Sequence, residues 1–185
     1  IALNGECCPV PVAIYPASFD PIHLGHADIA RRAARLFDRV VVGVYDRPNK
    51  KLMFSAHERV EMARVTLADI PNIDVVVYSG LTVDFARAHR ATVIVRGLRM
   101  PTDFEWEHQL AQTNQKLAPE VETVCLMTSP QYGFISSTIA RDVAMLGGPL
   151  EDLVPSTVIP ALLQRAAEIN GDPQSTIIPM AHLDT

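Results

Sequence analysis

Five short runs of apolar, largely β-branched residues, each followed by a stretch of helical periodicity, constrain this chain more than any other feature. They lie at 12–15, 40–45, 73–78, 92–95 and 121–127. Runs that are apolar on both faces suit strands covered on both sides. Alternation with helices makes each strand-helix-strand unit a right-handed crossover in a parallel sheet. The spacing predicts helices over 25–37, over 82–89, and from Ser55, where Glu58 completes a capping box. Thr102 or Asp103 is expected to cap a helix ending near Leu117, before Pro119. Ser136 or Ser137 is expected to cap another, which stops at Gly147-Gly148-Pro149. A last helix is predicted over 156–169, with Pro160 tolerable only in its first turn. The expectation is a single doubly wound α/β domain over 12–170: a five-stranded parallel sheet with a C-terminal helical extension. Residues 1–11 receive no assignment, and 171–185 read as a loosely held tail.

Composition narrows the function classes. With 16 Lys and Arg against 21 Asp and Glu, the net charge of −5 argues against a dedicated nucleic-acid binder. Cys7 and Cys8 are neighbours and make a poor disulfide, and neither they nor Cys125 has zinc-site spacing. No apolar run is long enough to span a bilayer and no signal-peptide pattern appears, so the expectation is a cytoplasmic protein. No GxxxxGK[ST] loop and no post-strand GxGxxG is present, which sets aside P-loop enzymes and dehydrogenases.

Ligands of open parallel sheets bind beyond the carboxyl ends of the strands. The five segments that follow the predicted strands therefore belong together. Much of the positive charge able to meet a ligand falls there, with glycines and hydroxyls. In the first segment, SFDPIHLGH, Gly25 permits close backbone approach, and the following helix offers free N–H groups and a positive dipole end to a phosphate. His23 and His26 stand three apart, so both can face that phosphate; the competing reading makes them ordinary histidines at a helix start. Asp20 reads as a turn former in preference to a metal ligand.

Lys50 and Lys51 suit a phosphate clamp, although alone they read as a solvated pair. Arg96 and Arg99 flank Gly97-Leu98 after an apolar strand, as forked phosphate contacts or as surface ion pairs. Ser136, Ser137 and Thr138 offer three hydroxyls at a helix start, of which capping explains one. Arg141 points either to the site or to solvent. Glu105 reads as a solvated charge and Trp106 as core or interface. His57, His89, His108 and His182 have no ligand spacing.

Together SFDPIHLGH, PNKK, VIVRGLR, DFEWEHQLAQTN and FISSTIAR resemble bacterial phosphopantetheine adenylyltransferases, of the HxGH nucleotidyltransferase superfamily, over about 12–165. The resemblance implies a Rossmann-like fold and adenylyl transfer from ATP to 4′-phosphopantetheine, giving dephospho-coenzyme A and pyrophosphate. By position it implies that Ser18, Phe19, His26, Gly97, Leu98, Arg99 and Glu107 contact ATP, and the phosphate-facing spacing adds His23. Tyr132, Gly133, Phe134, Ile135, Ser136, Ser137 and Thr138 would close over it. Ser18, Lys50, Thr82 and Arg96 would hold the acceptor, and His26, Lys50 and Arg99 would carry catalysis.

The resemblance further implies Mg2+ brought with ATP and no protein metal site, a hexamer, and feedback from coenzyme A. The acidic charge and the lack of a bilayer-length apolar run leave no nucleic-acid or membrane partner expected. The chain departs from the family at Ser18 (usually Thr), at His23 (usually not His), at Thr82 (commonly Met) and at Tyr132 (commonly Trp). The alternatives are a related nucleotidyltransferase with another phosphate acceptor, or a non-catalytic nucleotide- or coenzyme A-binding module.

Overall fold

The computed structural model describes residues 12–48 and 51–171. Lys50, Cys7, Cys8, His182 and the segment after 171 lie outside the described residues. The elements run β1 (Val12–Ala17), α1 (Leu24–Leu36), β2 (Arg39–Tyr45), α2 (Ala56–Leu67), β3 (Ile73–Tyr78) and α3 (Thr82–Ala88). They continue with β4 (Val93–Leu98), α4 (Pro101–Leu117), β5 (Glu122–Met127), a 3-10 turn (Pro130–Tyr132), α5 (Ser137–Met145) and α6 (Ile159–Gly171). Every strand pairing is parallel and the order is β3-β2-β1-β4-β5.

Alternate residues of each strand feed two apolar layers. Ala13, Tyr15, Val40, Val42, Val44, Val93 and Val95 pack under α1, α2, α5 and α6. Ile14, Val41 and Ile94 pack under α3 and the Ala118–Val121 turn. Both faces of the central strands β1, β2 and β4 are thus covered, as their continuous apolar runs require. Gly43 belongs to this packing: a Cβ there would lie 2.4 Å from Phe85 Cε1. Among the described residues no helix is long and apolar enough to cross a membrane.

Some predicted boundaries move. β4 does not end at Val95 but continues through Arg96, Gly97 and Leu98, because β5 pairs with it as far as Leu98–Met127. Arg96 to Leu98 are therefore strand residues, not a following loop. Helix α4 is capped by Met100 instead of Thr102 or Asp103; Pro101 takes the first turn and Asp103 accepts from the Met100 N–H. Pro160 occupies the first turn of α6, where its missing N–H costs little. Trp106 is 62% exposed on α4 and does not join the core of this chain.

Strand order reverses at β1, from which the chain runs outward to β2 and β3 and then returns to β4 and β5. Such a reversal opens a crevice at the carboxyl ends of the strands. Here the β1–β4 ladder covers only Ala13–Val93 and Ile14–Ile94, although β1 runs on to Ala17 and β4 to Leu98. Pro16 has no N–H to offer a ladder, and its carbonyl accepts from Arg96 Nη1 at 2.7 Å.

Candidate active site

A cavity of about 340 Å3 occupies this crevice. Its walls are the ends of β1 and β4, the start of α1, Thr128 after β5, and the start of α5. Ser18, His23, Gly25, His26, Arg96, Gly97, Arg99, Glu107, Ser136, Ser137 and Thr138 all line it, so segments more than 100 positions apart meet here.

His23 and His26 cap α1 reciprocally. The His26 N–H donates to His23 Nδ1 at 3.2 Å, and the His23 N–H donates to His26 Nδ1 at 3.3 Å. The two rings stack with centroids 3.6 Å apart. Because each Nδ1 accepts, each neutral ring carries its hydrogen on Nε2, which fixes the tautomer of both. Burial pushes the His23 pKa from 6.5 down to about 3, and the Arg99 guanidinium adds to the shift. Gly25 keeps the pair compact, since a Cβ there would lie 3.1 Å from His23 Cε1.

Arg96 is held from two directions. Its Nε and Nη2 each donate to Glu107 at 2.7 Å, and its Nη1 donates to the Pro16 carbonyl. Burial disfavours its charge, but the Glu107 carboxylate outweighs that and raises its pKa above the ordinary value. The pair is partly buried, not the surface ion pair that exposed spacing implies. Glu107 is the buried member of α4, whereas Glu105 is exposed.

Arg99 lies against Asp103, with Nε to Oδ2 at 3.2 Å, and its Nη1 donates to the Ile135 carbonyl at 3.1 Å. It thereby joins the start of α4 to the loop before α5. Burial alone would raise the Asp103 pKa, but hydrogen bonds from Arg99 and Met100 hold it below the usual carboxylate value. The three hydroxyls at α5 divide their work. Ser136 Oγ caps the helix by accepting the Ile139 N–H, Ser137 Oγ donates to the Pro21 carbonyl, and Thr138 Oγ1 accepts from Arg141 at 3.4 Å.

A family model described as cytidylyltransferase-like matches residues 14–143. A phosphopantetheine adenylyltransferase of Roseiflexus sp. (strain RS-1) is 52% identical over 151 residues, covering 82% of this chain and 94% of its own. One of Moorella thermoacetica is 54% identical over 154 residues, covering 83% and 96%. The chain belongs to the phosphopantetheine adenylyltransferase family. The fold is also that of a solved Vibrio parahaemolyticus protein assigned as a nicotinate-nucleotide adenylyltransferase. That structure is 18% identical, has a TM-score of 0.61, and covers 82% of this chain and 97% of its own.

Not every residue singled out for the adenylyltransferase site reaches the cavity wall. The Phe19 side chain is fully buried and packs edge-on against the His26 ring, centroids 4.8 Å apart. Leu98 and Ile135 are buried, Phe134 is 60% exposed, and Gly133 sits beside Arg99. Tyr132 lies beside Gly25, its Cβ 3.7 Å from where a Cβ on that glycine would stand. Thr82 lines a separate hollow of about 60 Å3 whose wall also includes Arg96 and Glu107, and its hydroxyl lies 3.2 Å from the Tyr78 hydroxyl. Arg141 turns neither to the cavity nor to solvent but to Asp20, 2.9 Å from Oδ2. His57, His89 and His108 do not line the cavity.

Three contributors escape sequence reading. Tyr15, buried in the cavity wall, has its pKa raised by burial against the opposing charge of Arg96. Asp103 aims Arg99. Arg59 is wholly buried behind the SFDP turn. The i to i+4 spacing of Arg99 and Asp103 was a usable signal; a buried arginine on a helix with no marked apolar face carries none.

Proposed function

We propose that the protein transfers the adenylyl group of ATP directly to 4′-phosphopantetheine, forming dephospho-coenzyme A and releasing pyrophosphate. The observation that carries this reading is the cavity in which two imidazoles of fixed tautomer, Arg99, and the starts of α1 and α5 converge. Relatives named for this reaction, about half identical over most of the chain, support it.

The acceptor phosphate is already an anionic nucleophile, so no general base is required. Its oxygen attacks the α-phosphorus of ATP in line while the bond to the β-phosphate oxygen breaks. Catalysis is then positioning and charge stabilisation. His26 donates its Nε2–H to the α-phosphoryl oxygens as charge builds there, helped by the free N–H groups of α1. Arg99 and the Ser136 and Thr138 hydroxyls, whose hydrogens the helix-start contacts leave unused, hold the leaving pyrophosphate. Ser18 touches both substrates, and Lys50 and Arg96 hold the acceptor phosphate. Arg96 reaches that phosphate with the N–H groups that Glu107 and Pro16 leave over, so Glu107 orients it. Thr82 takes the distal part of the acceptor in the hollow behind this pair.

Magnesium enters as part of the ATP substrate. Both carboxylates on the cavity wall are already committed, Asp103 to Arg99 and Glu107 to Arg96. That donor set suits an ion carried by triphosphate oxygens and water. Assembly as a hexamer, feedback by coenzyme A and a cytoplasmic setting complete the proposal. Exposed Phe104, Trp106 and Met127 on the α4–β5 side offer apolar surface for subunit contact. A pyrophosphate-release assay with MgATP and a series of phosphorylated acceptors tests the reading. Turnover is expected with 4′-phosphopantetheine; turnover confined to another acceptor would replace this assignment.

A further inference from the structure

We propose that Arg59, together with Arg141, is a positioning clamp that holds the Ser18–Phe19–Asp20 turn in the shape the reaction needs. Phe19 lies at φ 49°, in the left-handed region that a bulky side chain avoids. Such a residue keeps that conformation only where its surroundings over-determine it. Here both carbonyls flanking Phe19 are gripped by guanidinium groups. Arg59 Nη1 donates to Ser18 O at 2.6 Å, and Arg141 Nη1 donates to Asp20 O at 2.6 Å. The Asp20 carboxylate, fully buried, accepts the N–H groups of Met53 and Phe54 at 2.9 Å each.

Arg59 is tied to the frame behind the turn. It donates also to the carbonyls of Tyr45 at 2.8 Å, Asp46 at 3.2 Å and Phe54 at 3.2 Å. It is wholly buried, its hydrogen-bond partners are carbonyls, and burial lowers its pKa while Asp20 and Asp46 act only through space. A guanidinium buried on carbonyls alone is a costly way to fill a core, where an apolar side chain of similar volume serves packing better. What it provides is geometry. The reversal at Phe19 leaves Ser18 on the cavity wall and sends the Phe19 ring inward, edge-on to His26. The clamp thus acts through Ser18 and His26 and touches neither substrate. This rests on the reading that Ser18 serves both substrates.

The test uses the full-length enzyme with MgATP and 4′-phosphopantetheine. Arg59→Lys keeps the charge and the stem but loses the fork that spans the separate carbonyls. We expect a folded variant whose kcat/KM falls about tenfold to a hundredfold, with KM raised for both substrates. We expect Ser18→Ala to impair the enzyme as well, and the double variant to be within about twofold of the slower single variant, because the two act in series. A lower Tm with kcat and KM unchanged per folded molecule would mean that Arg59 only stabilises, and overturns the clamp. If Arg59→Lys does not fold, Arg141→Gln frees Asp20 O from the more accessible side. It should raise both KM values too, and unchanged constants overturn the proposal. Impaired Ser18→Ala beside normal clamp variants overturns the clamp alone. A wild-type enzyme that makes no product from these substrates overturns the underlying functional reading.

Discussion

Burial of His23 makes stability fall on acidification, and the size follows from its surroundings. The unfolded chain binds a proton on this imidazole near pH 6.5, while the folded protein resists it to about pH 3. Between those values the unfolded state binds more protons, so stability is present above 6.5 and is lost as pH falls. At about 1.36 kcal/mol per unit, the 1.5 units between 6.5 and pH 5.0 amount to about 2 kcal/mol. His23→Asn isolates this share, because Asn still caps α1 by accepting the His26 N–H yet does not titrate. Urea unfolding at about pH 7.5 and pH 5.0, with m-values compared, measures it. The stability difference between variant and parent should move by about 2 kcal/mol in favour of Asn on acidification. Parallel pH dependences would refute the reasoning, because they would mean that His23 titrates in the folded protein as an exposed histidine does.

His26→Ala should leave the circular dichroism spectrum intact and lower kcat at least about a hundredfold, the usual loss for one donor to a developing oxyanion; near-normal turnover would remove His26 from the mechanism. Lys50→Ala should raise KM for the acceptor and slow turnover, and unchanged acceptor kinetics would contradict its assignment. Glu107→Gln should cost about 1.5–3 kcal/mol by leaving Arg96 partly unpaired, and should raise acceptor KM more than ATP KM; thermal unfolding and steady-state kinetics check the two parts separately.

The core of the sheet was legible in the sequence because its central strands β1, β2 and β4 are covered on both faces and their apolar runs are therefore continuous. β3 begins and ends where its residues predict. β4 was read short because Arg96 and Gly97 are poor strand formers, and pairing with β5 overrides that preference. The start of α4 was misread for the same kind of reason. Asp103 is a good cap by type, but Pro101 fits the first turn and moves the cap to Met100. At the site, the gathering of post-strand segments was visible because parallel topology sends them all to one edge. The carboxylate partners were not. Asp20 read as a turn former, Asp103 as a helix cap and Glu107, by resemblance, as an ATP contact; only the fold sets each beside an arginine. Arg59 was the least visible, since a charged residue on a helix is ordinarily solvated and only tertiary structure surrounds this one with carbonyls.

The proposed reaction in this cavity joins an adenylyl group to 4′-phosphopantetheine. The direct measurement is mass analysis of the products after incubation of the protein with ATP, magnesium and 4′-phosphopantetheine. Dephospho-coenzyme A is expected, with one pyrophosphate released per product formed. Substrate bound but no dephospho-coenzyme A formed would contradict it.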